Sequence, residues 1–284
     1  MTLANIARLL RPEQWVKNAF VVVPLFFTPT LLTRANAIAV LIGVACFSAI
    51  ASAVYILNDF RDRDSDRLHP RKKSRPLAAG TVSLPVAFGL VALLVAGGLG
   101  VAQLHLAPAF FNILAFYLLM NVAYTWGLKS VSIVDVMIIA LGFVLRVEGG
   151  AYLIGVAATS WLVIATGLLA LFLALAKRRD DLSQGLDSAH RKSIAGYTKP
   201  FLDSAISIML GALLVVYLIY VTTGGGPAKA FYTTPFVVVG ILRYLQITIV
   251  EERSGSPTRI LLTDRMIVAS VGGWLLCYAA LLYA

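Results

Sequence analysis

Residues Tyr55–Gly80 read YILNDFRDRDSDRLHPRKKSRPLAAG. This stretch decides the fold because of what flanks it. On either side lie apolar runs, at about 36–57 and about 83–103, of the length a helix needs to cross a bilayer. A charged island between two such runs is a loop at a membrane face. Its first half is acidic, with Asn58, Asp59, Asp62, Asp64 and Asp66; its second half is basic, with Arg67, His69, Arg71, Lys72, Lys73 and Arg75.

The rest of the chain agrees. Of 284 residues, 59% are hydrophobic and only 13% charged, and mean hydropathy is +0.84. A soluble core does not need that much apolar surface, so the chain reads as an all-α integral membrane protein. Formal net charge is +10. The cations sit in loops between apolar runs, so the partners expected are membrane lipids and a phosphorylated substrate, not nucleic acid. Cys46 and Cys277 lie in separate apolar runs and read as small buried hydrophobes. No cleavable signal is visible at the N-terminus; Leu3, Ile6, Leu9 and Leu10 against Arg8 and Arg11 suggest a short interfacial helix.

Nine transmembrane helices are expected, at about 16–31, 36–57, 83–103, 108–126, 131–154, 159–177, 201–222, 231–249 and 264–283. Pro24 and Pro29 shorten the first. No internal repeat or soluble boundary interrupts them, so 1–284 is expected to be a single transmembrane domain with polar loops at about 58–82 and 178–199. Nearly all Lys and Arg fall on the side shared by the N-terminus and these loops; the other side has little beyond Arg34 and Lys229. The positive-inside rule then places the N-terminus and the active surface in the cytoplasm of a cell whose inner or plasma membrane holds the chain.

Asn58, Asp62 and Asp66 recur every four residues, and on a continuing helix they share a face that Asp59 joins. Carboxylates one turn apart repel unless a cation lies between them. Mg²⁺ prefers hard oxygens and shares its shell with substrate phosphates, so Asn58, Asp62 and Asp66 are the expected metal ligands and catalytic groups. The plain alternative is a solvated acidic helix end. The basic half, broken by Pro70 and Pro76, is a loop presenting cations, with Lys73 and Arg75 the expected phosphate ligands.

Further candidates end other spans. Tyr124 and Lys129 close the fourth span, and Asp135 opens the fifth, where a carboxylate without a partner is costly. Arg146 lies deeper in that span; it is either a functional group or one half of a pair with Glu148 or an Asp. Lys177, Arg178, Arg179, Asp180 and Asp181 close the sixth span, followed by Asp187, His190, Arg191 and Lys192. Lys17 sits at a membrane edge. Tyr197-Thr198, Arg243-Tyr244 and Asp264-Arg265 are lesser candidates. No zinc spacing, Ser/His/Asp set, Walker loop or dinucleotide fingerprint is present.

The motif N-D-x-x-D-x-x-x-D at 58–66, with Tyr124 and Lys129, resembles the UbiA superfamily of intramembrane prenyltransferases. The resemblance covers essentially the whole chain and implies a nine-helix UbiA-type bundle with a cytoplasm-facing cavity. Within it, R-P-x-Q-W-x-K-N at 11–18, H-P-x-K-x-x-R-P-x-A-x-G at 69–80, L-R-x-x-x-G at 145–150, Lys177-Arg178 and S-G-S-P-T…D-R at 254–265 are similar to decaprenyl-phosphate phosphoribosyltransferases. That branch implies a Mg²⁺-dependent pentosyltransferase. It would move 5-phosphoribose from phosphoribosyl diphosphate (PRPP) to a polyprenyl phosphate, for cell-wall arabinan synthesis. The implied substrate-binding set is Lys17, Asp59, Lys73, Arg75, Tyr124, Lys129, Asp135, Arg146, Lys177, Arg178 and Asp181. Asp181 stands where the branch tends to carry Glu. The second D-x-x-x-D motif of aromatic prenyltransferases is absent from 178–199, although such a transferase is the alternative reading. A transporter is the third; charge at one face and the lack of repeats argue against it. Homo-oligomerisation is left open.

Overall fold

Pro12 ends the first helix, α1 (Leu3–Leu10), and starts a 3₁₀ helix over Pro12–Val21. A single turn follows, α2 (Val23–Phe26), and then a 3₁₀ turn at Pro29–Leu31. The span expected at 16–31 is therefore not a continuous helix. Pro12, Pro24 and Pro29 each lack the N–H that would continue an α-helical ladder, and the chain falls back on short i→i+3 turns. These coordinates are a computed structural model, which describes residues 3–68, 72–185, 192–223 and 226–283. His69, Arg71, Asp187, His190 and Arg191 lie outside the described residues.

Regular helix starts at Thr33, whose Oγ1 accepts from Asn36 N at 3.2 Å and caps α3 (Arg34–Arg61). The short α4 (Arg63–Leu68) follows, then α5 (Leu84–His105), α6 (Pro108–Trp126), α7 (Val134–Leu153) and α8 (Ser160–Ser183). Thr159 and Thr198 cap α8 and α9 (Lys199–Thr222) in the same way as Thr33. A 3₁₀ turn at Ala230–Thr233, α10 (Thr234–Leu245) and a π-turn at Gln246–Val250 come next. The chain closes with α11 (Pro257–Thr263) and α12 (Arg265–Tyr283). Among the described residues, eight of these stretches are long and apolar enough to cross a membrane. They match the expected second to ninth spans, so the chain is a multi-pass, all-helical membrane protein.

One compact unit comprises residues 1–129 and 142–158. At its centre α3 packs on α5, α6 and the 3₁₀ segment. Small residues permit close approach. A Cβ on Gly150 would lie 2.1 Å from the carbonyl oxygen of Val21, so only glycine lets α7 meet the 3₁₀ segment there. Phe47 sits edge-on to Phe110 and Tyr117, with centroids 5.6 and 5.4 Å away. The other unit comprises residues 130–141 and 159–284. In it α8 packs along α9, and α10 along α12. Its core holds Phe172, Leu175, Leu202, Ile206, Tyr244 and Ile247.

Candidate active site

The acidic end of α3 does not present one carboxylate face. Helix α3 ends at Asp62, with φ −93° and ψ 1°, and α4 follows at once, Asp62 N donating to Asn58 O at 2.9 Å and Asp66 N to Asp62 O at 2.8 Å. The side chains of the motif fall into two pairs. Asn58 and Asp62 share Lys129: its Nζ donates to Asn58 Oδ1 at 3.2 Å and to Asp62 Oδ1 at 2.5 Å. Asn58 Nδ2 donates to the other oxygen of Asp62 at 3.1 Å. Asp59 and Asp66 share Arg75, whose Nη1 lies 3.1 Å from Asp59 Oδ1 and 2.7 Å from Asp66 Oδ2. Arg11 is also 2.5 Å from Asp59 Oδ1, and its guanidinium stacks 5.2 Å from the Tyr55 ring. Asp64 faces solvent beside Arg63 and Arg67.

Asp66 is thus a buried partner of Arg75, not an open neighbour of Asp62. Burial explains the pairing. A carboxylate taken out of water needs a cation or several donors, and Arg75 supplies one for two acids. The second oxygen of Asp59 is buried with no hydrogen-bond partner among the described residues. Lys73 is exposed.

The Asn58–Asp62 pair fits a divalent cation. Two hard oxygens already converge on one positive charge, the Lys129 ammonium. Among the described residues, no group of three or more His, Cys, Asp or Glu side chains is arranged to hold a metal alone. That suits Mg²⁺, which takes one or two protein oxygens and fills its shell with water and substrate phosphates.

Along α3 the 3₁₀ segment runs in register. Trp15 Nε1 donates to Ser52 Oγ at 3.0 Å, and Asn18 Nδ2 donates to Ser48 Oγ at 2.8 Å. With Arg11 on Tyr55 and Asp59, one face of α3 is covered from Ser48 to its acidic end. Arg146 closes the far end of that face. Its guanidinium donates to Asn18 Oδ1 at 2.8 Å, to Tyr117 OH at 2.9 Å and to the Gly142 carbonyl at 2.7 Å. Three rings, of Tyr117, Phe47 and Phe143, lie 4.7–5.6 Å from its carbon. Arg146 is buried and has no carboxylate partner among the described residues, so the pair with Glu148 or an Asp does not form. Tyr124 is half-buried at the end of α6.

The second unit holds a separate charged cluster. Asp135, fully buried, accepts from Arg178 Nε at 2.8 Å, Ser193 Oγ at 2.9 Å and Tyr197 OH at 2.7 Å. Arg178 Nη1 reaches Asp181 at 2.7 Å. Burial, and donation to Asp135, hold the Tyr197 hydroxyl well above its usual pKa. Asp135 and Arg178, both expected to bind substrate, pair with one another, and through Ser193 and Tyr197 the cluster ties the segment after α8 to the start of α7. Lys177 is exposed beside them. Arg243, Glu251, Arg253 and Asp264 form a further ion cluster in which Asp264 caps α12 through Ile267 N.

The sequence reading missed Arg11 as a partner of Asp59, and Asn18 and Tyr117 as partners of Arg146. Arg11 was legible as a cation in the 11–18 motif. Neutral polar groups inside apolar runs carry no such pattern.

The family model described as the UbiA prenyltransferase family matches residues 19–270. The decaprenyl-phosphate phosphoribosyltransferase of Corynebacterium glutamicum is 29% identical, over 98% of this chain and 87% of that one. The enzyme of the same name from Mycobacterium tuberculosis is 28% identical, over 96% and 92%. A UbiA homologue from Archaeoglobus fulgidus, solved with GPP and Mg²⁺, superposes with a TM-score of 0.76 at 19% identity, over 99% of this chain and all of that one.

Proposed function

Because the chain belongs to the UbiA prenyltransferase family, we propose that it is the phosphoribosyl-transferring kind: a Mg²⁺-dependent pentosyltransferase that moves 5-phosphoribose from PRPP to a polyprenyl phosphate and releases diphosphate. The observation that carries this reading is similarity, across nearly the whole length of both chains, to enzymes named decaprenyl-phosphate phosphoribosyltransferase. The site supports it. Lys129, Arg75 and Arg11 stand against Asn58, Asp59, Asp62 and Asp66, and Lys73 is exposed on the loop that carries Arg75. Donor and acceptor together bring a diphosphate, a 5-phosphate and a lipid phosphate, a load that suits this many cations.

Asn58 and Asp62 would hold Mg²⁺. The ion would neutralise the charge that builds on the departing diphosphate. Lys129 and Arg75 now serve as counterions to the acids. With Mg²⁺ at Asn58 and Asp62, Lys129 would be free to donate to diphosphate oxygens, while Arg75 would stay the counterion of Asp59 and Asp66. A lipid phosphate oxygen attacks the anomeric carbon as the bond to diphosphate breaks. A phosphate monoester is already anionic near neutral pH, its second pKa being about 6, so no general base is needed. The Lys and Arg distribution supports a cytoplasmic N-terminus and site. The product would serve arabinan assembly.

Purified protein in liposomes, given labelled PRPP, a polyprenyl phosphate and Mg²⁺, should form a phosphoribosyl lipid. Failure to do so, with transfer of a prenyl group from its diphosphate to an aromatic acceptor instead, would replace this reading.

A further inference from the structure

We propose that Lys17, next in the chain to Asn18, the residue that Arg146 holds, binds the phosphate monoester of the acceptor lipid. This rests on the reading above and assigns the second substrate's head group. The ammonium of Lys17 has no hydrogen-bond or ion-pair partner among the described residues. It is half-buried in the 3₁₀ segment, outside the eight spans. Arg146, with Asn18 as its ligand, has no carboxylate either. Two buried or half-buried cations, neither of them ion-paired among the described residues, leave a demand for an anion.

Position favours the lipid phosphate over the donor's 5-phosphate. The 3₁₀ segment lies along α3 from Ser48 to Asp59. At 1.5 Å per residue, Tyr55 is about 4.5 Å and Ser48 about 15 Å from Asn58 along the helix, towards the middle of the span. Diphosphate held at Asn58 and Asp62 leaves on the outer side. Direct displacement puts the attacking oxygen on the opposite side of the carbon, which is the side from which a lipid head group rises.

The charged groups that act on Lys17 are Arg146 from α7 and Arg11 and Glu13 from its own end of the chain, with Tyr117 of α6 bonded to Arg146. Burial, then Arg146 and Arg11, pull the Lys17 pKa down to about 8, against a smaller opposing effect of Glu13. A bound phosphate reverses that, so acceptor binding favours protonated Lys17 and weakens as pH rises through about 8.

The test compares wild type, Lys17→Met and Lys17→Arg, full length in liposomes, between pH 6.5 and 9.5. Lys17→Met should raise KM for decaprenyl phosphate about ten- to a hundredfold, as expected for a lost charge-assisted hydrogen bond, with KM for PRPP within about twofold. Wild-type acceptor KM should climb above pH 8, and Lys17→Arg should keep it low throughout. A rise confined to KM for PRPP would give the seat to the 5-phosphate and overturn the proposal. So would no change in either KM. Equilibrium binding of decaprenyl phosphate in detergent micelles separates the two readings: if wild type makes no phosphoribosyl lipid, the functional reading falls, and unchanged binding by Lys17→Met still sinks the seat.

Discussion

Replacing Arg75 by Met tests the division of the acidic motif. Arg75 Nη1 bridges Asp59 and Asp66, whose side chains are 2% and 3% exposed; its own is 25% exposed. Asp59 keeps Arg11 at 2.5 Å, whereas among the described residues Asp66 keeps Lys72 as its one remaining cation, at 4.0 Å. Removing one partner of a fully buried pair costs about 3–5 kcal/mol. Arg75 is partly solvated, so about 2–3 kcal/mol is the working figure. At roughly 2–4 °C per kcal/mol for a chain of this size class, the melting temperature should fall by about 5–10 °C. Asp66→Asn in the Arg75→Met background removes the stranded charge and should recover more than half of that loss. The assay is the monodisperse fraction remaining after a heating series in one detergent, for wild type, both single variants and the double. Equal melting of Arg75→Met and wild type, or strict additivity around the cycle, would refute the shared-cation account.

Asp62→Asn should lower Mg²⁺-dependent transfer on the order of a hundredfold while melting stays near that of wild type; full activity would remove Asp62 from the metal site. Gly150→Ala places a Cβ 2.1 Å from a backbone oxygen that cannot move aside, so about 1–3 kcal/mol of overpacking should appear as a lower melting temperature, while Gly97→Ala, open on all sides, should be neutral. Hydrogen bonding from Arg243, chiefly, holds the Asp264 carboxyl down to about 2. Its contribution to stability is therefore complete above the ordinary carboxylate value and is lost as pH falls towards 2. Melting followed from pH 6 to pH 2.5 should drop less in Asp264→Asn than in wild type.

The spans were legible because 18 or more apolar residues in a row have few other uses, and the second to ninth appear where composition put them. The stretch 16–31 misled for a physical reason. Its composition is that of a span, but Pro12, Pro24 and Pro29 set its backbone, and its partners lie on α3 and α7. The spacing of Asn58, Asp62 and Asp66 was read on an ideal helix. Which cation each acid pairs with depends on Lys129, 67 residues from Asp62, and on a loop cation, Arg75, so local periodicity could not foresee it. Asp135 was marked as needing a partner, and Arg178 as a nearby cation. That each is the other's partner is a tertiary fact.

The 3₁₀ segment has a consequence for how the protein is made. Part of the cover for the irregular backbone of Pro12–Val21 is Gly150 and Arg146. Asn18 and Arg146 are 128 residues apart. At about 5–20 residues per second of synthesis, roughly 6–25 s separate the emergence of the two. Through that interval the beginning of the chain has no finished berth. Its contacts with α3 can form early, but those with Gly150 and Arg146 cannot form until α7 exists.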